Sequence, residues 1–169
     1  MNLRKYQKED AYKILSWFEN EKEFRFWSAN YYQQYPIDPT DINNLYNECG
    51  KQFEFYPMML EDDGKTIGHF IIKTPYEDKT IVQIGFVIVN NQLRGYGYGK
   101  KMLQQAIMYA KEKMNAKEVR IKVFENNDRA VHCYQSVGFQ KAAVEENACQ
   151  FHGENWNRVE MSIEIQGLC

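Results

Sequence analysis

Residues 94–101 read RGYGYGKK, three glycines at alternate positions between an arginine and two lysines, shortly after the apolar run IGFVIV at 84–89. Glycine gives up more backbone entropy on folding than any other residue, so this cluster needs a local reason: unusual dihedrals, or a ligand that must touch the main chain. A glycine turn that leaves a strand and opens a helix gathers bare N–H groups and the positive end of the helix dipole at one point. Such a point attracts phosphate. Two nucleotide motifs are excluded by spacing. A Walker A loop would need Gly at 94 and Ser or Thr at 101, where Arg94 and Lys101 stand. A GxGxxG fingerprint begun at Gly95 or Gly97 would need glycine where Lys100 or Met102 stands.

Outward from the glycines, Met102, Leu103, Ala106, Ile107, Ala110 and Met114 fall on one face of a helix from about Gly99 to Met114. EVRIKVF, 118–124, then reads as a strand with Val119, Ile121 and Val123 on one side, and the whole is a βαβ unit. Upstream, IVQIGFVIV at 81–89 is apolar at odd and even positions alike, as a central strand covered on both faces would be. EDDGK at 61–65 and YEDK at 76–79 are turn signals, so three consecutive strands are expected to lie antiparallel. The chain opens with a short strand, MNLRKY, and a helix capped by Asp10 with Ala11, Ile14, Leu15 and Phe18 on one face. Residues 24–39 show no clear period. Pro36 and Pro39 bracket a turn before a helix carrying Ile42, Leu45, Tyr46 and Cys49. A last helix, Asp128 to Val137, ends at Gly138, ahead of FQKAAVEE and a closing strand WNRVEMSIEI.

The 169 residues, 44% apolar and 26% charged, suit one folded domain over 1–169. A net charge of -2 gives no basic field for nucleic acid. No run approaches a membrane span, and MNLRKYQKED lacks the apolar stretch of a leader, so no membrane partner and a cytoplasmic location are expected. Cysteines 49, 133, 149 and 169 lack CxxC spacing and read as free thiols; no metal site is expected.

Residues 127–139, NDRAVHCYQSVGF, follow EVRIKVF at once. With the glycine stretch, they make the chain resemble the GNAT superfamily of N-acetyltransferases. Its members show R-x-x-G-x-G/A before a helix and later N-x-x-A-x-x-x-Y-x-x-x-G-F. Arg94, Gly97 and Gly99 carry the first motif here; Asn127, Ala130, Tyr134, Gly138 and Phe139 carry the second. The resemblance implies an α/β (α+β) fold: a mixed, mostly antiparallel central sheet of six or seven strands, about four flanking helices, and a splay between the fourth and fifth strands.

The same resemblance implies acetyl-CoA as cosubstrate, a primary amine of a small molecule or protein as acceptor, and leaves a homodimer open. The main chain of Phe86, Val87, Ile88 and Val89 would pair with pantetheine as a missing strand does, one N–H between Val87 and Val89 facing the thioester oxygen. The amides of Arg94, Gly95, Tyr96, Gly97, Tyr98, Gly99 and Lys100 would cradle the pyrophosphate, with no Cβ at 97 and 99 to hold it off. Lys100 and Lys101 would either add attraction or be solvated. Tyr134 would be the general acid for the departing thiolate, since a phenol with a pKa of about 10 stays protonated at neutral pH. Asn127 would contact the cofactor or cap its helix.

For the base, the family's glutamate position holds Gln83, which can hold a water in a relay but cannot accept a proton; a second such position holds Lys122. Glu125 and His69 remain as titratable alternatives. The aromatic stretch FRFWSANYYQQY, 24–35, would either line an acceptor groove or pack a helical arm on the sheet. A second reading, a non-catalytic acyl-CoA-binding module, follows from the missing glutamate.

Overall fold

The computed structural model describes residues 1–165. Its strands are β1 (Asn2–Lys5), β2 (Phe55–Asp62), β3 (Lys65–Lys73), β4 (Ile81–Val89), β5 (Glu118–Phe124), β6 (Gln140–Phe151) and β7 (Glu154–Glu164). They form one sheet in the order β1-β2-β3-β4-β5-β7-β6, antiparallel except where β4 meets β5. The helices are α1 (Asp10–Ser16), α2 (Glu21–Ser28), α3 (Pro39–Gln52), α4 (Tyr98–Met114) and α5 (Asp128–Val137). The mixed fold, the expected hairpins and the splay beside β4 are present. Among the described residues no helix is long and apolar enough to cross a membrane, and Cys169 lies outside them.

Local chemistry sets the element ends. The β2–β3 hairpin turns on Asp63 and Gly64, both in the left-handed region (φ 47° and 73°), as a two-residue turn matching strand twist demands. Pro39 opens α3 behind a reciprocal cap in which Asp38 accepts from Thr40 N–H and Asp41 from Asp38 N–H. Asp10 does not cap α1 in the expected way. It sits in the first turn, nearly inaccessible, accepting Gln7 N–H at 2.8 Å and Nη1 and Nη2 of Arg4 at 2.7 and 2.8 Å. The stretch 24–39, read without a period, overlaps the second half of α2, eight residues started by Asn20, whose side chain accepts from Glu23 N–H. A helix this short shows too few turns for its period to register in sequence.

Two apolar layers flank the sheet. Between the sheet and α4 and α5 pack Val82, Ile84, Val119 and Ile121 with Leu103 and Ala106 of α4; between the sheet and α1–α3 pack Ile71, Phe86 and Ile88 with Phe24, Trp27 and Ile42 of the helices. Each fully buried side chain of this kind contributes on the order of 1.5–3 kcal/mol. Strand β4 supplies both layers by changing face midway. Ile71 pairs with Gly85 but His69 with Ile88, so one extra residue is accommodated there, and Phe86 takes φ +49°. Ahead of this bulge the even residues Val82 and Ile84 point to α4; beyond it Phe86 and Ile88 point to the helical arm, and Val87 and Val89 to α4. The unbroken apolar run thus reflects a face switch as well as two-sided cover.

Candidate active site

The parallel pairing of β4 and β5 runs from Ile81–Glu118 to Ile84–Ile121 and then stops. Beyond the bulge the strands part around a cleft of about 410 Å³, which reaches from Trp27, Phe86 and Lys122 to the glycine turn. The ladder also decides which β4 groups face it. Asn90 N–H bonds Ile67 O across to β3 at 2.8 Å, so strand alternation turns the main chain of Val87 and Val89 towards the gap and that of Ile88 away. Of the four strand residues named from sequence, two therefore turn their backbone to the gap. The Val89 carbonyl already accepts from Arg94 Nε at 3.3 Å, and the Phe86 carbonyl from Trp27 Nε1 at 2.9 Å.

At the far end, Gly95 (φ 84°) and Gly97 (φ 79°) hold left-handed backbone, and α4 begins at Tyr98. Its first main-chain bond is Lys101 N–H to Gly97 O at 3.2 Å, which leaves the amides of Tyr98, Gly99 and Lys100 as the orphan donors of a helix N-terminus. A Cβ at Gly97 would meet nothing within 4 Å, so that position opens freely on the cleft. Gly99 also lines the cleft, and it has a packing reason of its own. A Cβ there would lie 3.2 Å from Cys133 Sγ and 3.8 Å from Val89, so its glycine lets α4 approach α5. Lys100 lines the cleft; Lys101 does not, its ammonium lying 5.6 Å from the Tyr98 ring centre. Tyr96 is 73% exposed.

The guanidinium of Arg94 is spoken for. Besides Val89 O it donates to Glu23 at 2.9 Å and to Trp17 O at 2.9 Å, fastening α1 and α2 to the end of β4. Glu23 also lies 3.7 Å from Arg129, which comes from α5 on the other wall. Glu23 and Arg129 both line the cleft, and nothing in their spacing announced it. Asn127 caps α5, accepting Ala130 N–H at 3.4 Å, and lines the cleft as well. Tyr134 is buried in the wall, and desolvation pushes its phenol further above the ordinary value. The neighbouring Cys133 thiol is raised by the same burial.

The base candidates fall apart in space. Gln83 is not among the residues lining the cleft; it lies in a row across the arm-side face between Lys73 and Arg120. Lys122 does line it, with Glu160 at 4.0 Å. Glu125 accepts from Asn157 at 3.1 Å over a separate shallow depression. His69 is buried, donating from Nδ1 to Met58 O at 2.9 Å and accepting Tyr46 O–H at Nε2 at 2.7 Å. Burial pushes its pKa down to about 3, so it is a neutral structural imidazole. In the aromatic arm, Phe26 packs on Phe124 and Trp156 while Trp27 stands edge-on to Phe86; both also form cleft wall.

Residues 11–139 match the model of the acetyltransferase (GNAT) family. Among curated proteins, an N-alpha-acetyltransferase of Sulfurisphaera tokodaii is 29% identical over 103 residues, 56% of this chain and 62% of that protein. A spermine/spermidine N(1)-acetyltransferase of Bacillus subtilis is 38% identical over 52 residues, 31% of this chain and 34% of that protein. The chain thus matches less than two thirds of the length of either relative. Among solved structures, a spermidine N-acetyltransferase from Vibrio cholerae in complex with CoA and spermine superposes with a TM-score of 0.82 at 19% identity, covering 98% of this chain and 95% of that one. A ribosomal-protein-alanine N-acetyltransferase from Brucella melitensis gives 0.77 at 17%, covering 98% and 100%. At such identities the structural likeness speaks for the fold alone, and the family match speaks for descent. The chain belongs to the acetyltransferase (GNAT) family.

Proposed function

We propose that this chain is an acetyl-CoA-dependent N-acetyltransferase that moves the acetyl group to a primary amine of a small molecule or protein by direct attack. The observation that carries the reading is one continuous cleft with three donor sets in order: the orphan amides after Gly97, the unpaired edge at Val87 and Val89, and Tyr134. That order suits a diphosphate, an amide-rich arm and a thioester in turn. The open space at Gly97 would admit a phosphate oxygen to van der Waals contact with the main chain.

When bound, acetyl-CoA supplies an acyl carbonyl activated by its thiol leaving group. The chain's own groups do the rest. Val87 N–H lies on the edge where negative charge on the carbonyl oxygen would be stabilised, a contribution of about 10² to 10³ in rate for a well-aimed donor. Tyr134 donates its phenolic proton to sulfur as the C–S bond breaks and the N–C bond to the amine forms. The proton shed by the amine passes to solvent: the carboxylate lining the cleft, Glu23, is held by Arg94 and Arg129. The cofactor and the amine are the partners required, and the described cysteines 49, 133 and 149, all unpaired, suit a reducing cytoplasm.

Among the described residues no carboxylate other than Glu23 lines the cleft, which favours a second reading, an acyl-CoA-binding module without turnover. Thiol release from acetyl-CoA, measured over a panel of amines, separates the two. Amine-dependent release above hydrolysis supports the transferase; calorimetric binding of CoA with no amine-dependent release supports the module. No binding of CoA at all refutes both.

A further inference from the structure

The bulge in β4 leaves one main-chain group to be satisfied from outside the sheet. At Phe86 the backbone is left-handed, which for a bulky aromatic costs about 1–2 kcal/mol and persists only where the surroundings enforce it. The β3 ladder is interrupted there, between His69 and Ile71, so the Phe86 carbonyl loses its place in the regular strand pairing beneath α2. A buried carbonyl without a partner costs about 1–3 kcal/mol. Trp27 supplies the partner: its Nε1–H donates to Phe86 O at 2.9 Å, both residues being buried. The indole is itself fixed, edge-on to the Phe86 ring at 4.9 Å, stacked on Tyr32 at 6.3 Å and against Phe18 at 5.2 Å.

The carbonyl of residue 86 and the N–H of residue 87 belong to one planar trans peptide, so they point in opposite directions. Pinning the oxygen to α2 therefore fixes the plane of this peptide and with it the direction of the Val87 N–H, which strand alternation sets on the gap side of β4. A hydrogen bond accepted by the carbonyl also polarises the N–H of the same amide. We infer that Trp27 is a positioning residue for catalysis: through the Phe86 carbonyl it holds the Val87 N–H at the angle that meets the thioester oxygen. This rests on the transferase reading above. Trp27 also lines the cleft, so the inference is tested against a plain contact role.

Trp27→Phe keeps a ring and deletes the donor. Its kcat should fall about tenfold to a hundredfold while the KM for acetyl-CoA and the Kd for CoA stay within about twofold. Ile42→Val, which thins the same buried layer from α3 and makes no ring contact with Trp27, serves as a control for lost packing and should keep wild-type kcat. An unchanged kcat in Trp27→Phe, a loss confined to KM, or an equal loss of kcat in the control overturns the inference. A second readout does not need turnover: in 15N-labelled protein with CoA bound, Trp27→Phe should shift the Val87 amide more than those of Val82 and Ile84, and an unmoved Val87 amide overturns the inference. Absence of amine-dependent release by the wild-type protein would sink the transferase reading instead, leaving the amide shift to decide whether Trp27 sets the peptide.

Discussion

Arg94 and Glu23, 71 residues apart in the chain, meet at 2.9 Å in the wall of the cleft, with side chains only 15% and 19% exposed. The arginine that opens the glycine motif is therefore a fastener: it joins the end of β4 to Trp17 O and to the first turn of α2. Arg94→Gln leaves Glu23 with the Glu19 N–H at 3.1 Å and the more exposed Arg129, and strips a donor from two carbonyls. A loss of about 2–3 kcal/mol is expected, or roughly 5–10 °C in Tm. Calorimetric melting checks the first effect and CoA titration the second, which should be weaker binding, because the turn hangs from that anchor. Arg94→Gln with unchanged Tm would contradict the fastening role.

The two glycines of the motif separate in the same way. Gly97→Ala places a Cβ on left-handed backbone at a strain of about 1 kcal/mol and projects it into the open cleft, so CoA affinity should drop about tenfold. Gly99→Ala should instead act on packing, and Cys133→Ala should restore what it loses, since the clash is with that sulfur. CoA affinity and Tm, measured for both single variants and the double, give the answer; if Gly99→Ala proves the worse binder, the assignment of phosphate contact to the 97 side is wrong.

Much of this was legible in the sequence because it rests on local chemistry. The Asp-Gly turn, the Pro39 start, the Gly138 stop and the glycine turn before α4 are each dictated by a few neighbouring residues. What escaped depends on distant partners. Glu23 reads as one more acid in the charged run ENEKE until Arg94 and Arg129 arrive beside it. The bulge at Phe86 hides inside IVQIGFVIV, because a run apolar at every position cannot show where its faces exchange. Gln83 illustrates the converse: its number along the strand matched a family position, yet its side of the sheet puts it outside the lining of the cleft.

His69 sets an acid-side limit on stability. Its folded pKa is pushed to about 3 by burial, against about 6.5 in an unfolded chain, so between those values only the unfolded state binds the proton. Stability therefore falls as pH drops below about 6.5, by up to about 1.4 kcal/mol per pH unit, and stops falling on this account near pH 3. The carboxylates with lowered pKa, Asp10 among them, add their loss only below about pH 4. Urea unfolding between pH 7 and pH 5 isolates the histidine: the slope should be present in wild type and absent in His69→Gln, whatever the latter's overall stability.

Tyr134 carries the sharpest consequence for rate. Burial raises its phenol, which keeps the proton available through any working pH yet makes it a weaker acid. Burial also raises the Cys133 thiol one residue away, so a thiol held in this wall is expected to share that desolvation. A thiolate leaving in this wall is a stronger base than in solvent and can take the proton from a reluctant donor. Tyr134→Phe should therefore lower kcat by about 10² to 10³ with CoA affinity within about threefold. In wild type, kcat/KM should rise with pH as the acceptor amine loses its proton to solvent, and no descending limb should appear below pH 10. Thiol release followed from pH 6 to 10 with two amines of different basicity tests both points: the rise should move with the amine. A descending limb near pH 8, or full activity in Tyr134→Phe, would remove Tyr134 from the chemistry and leave it as wall.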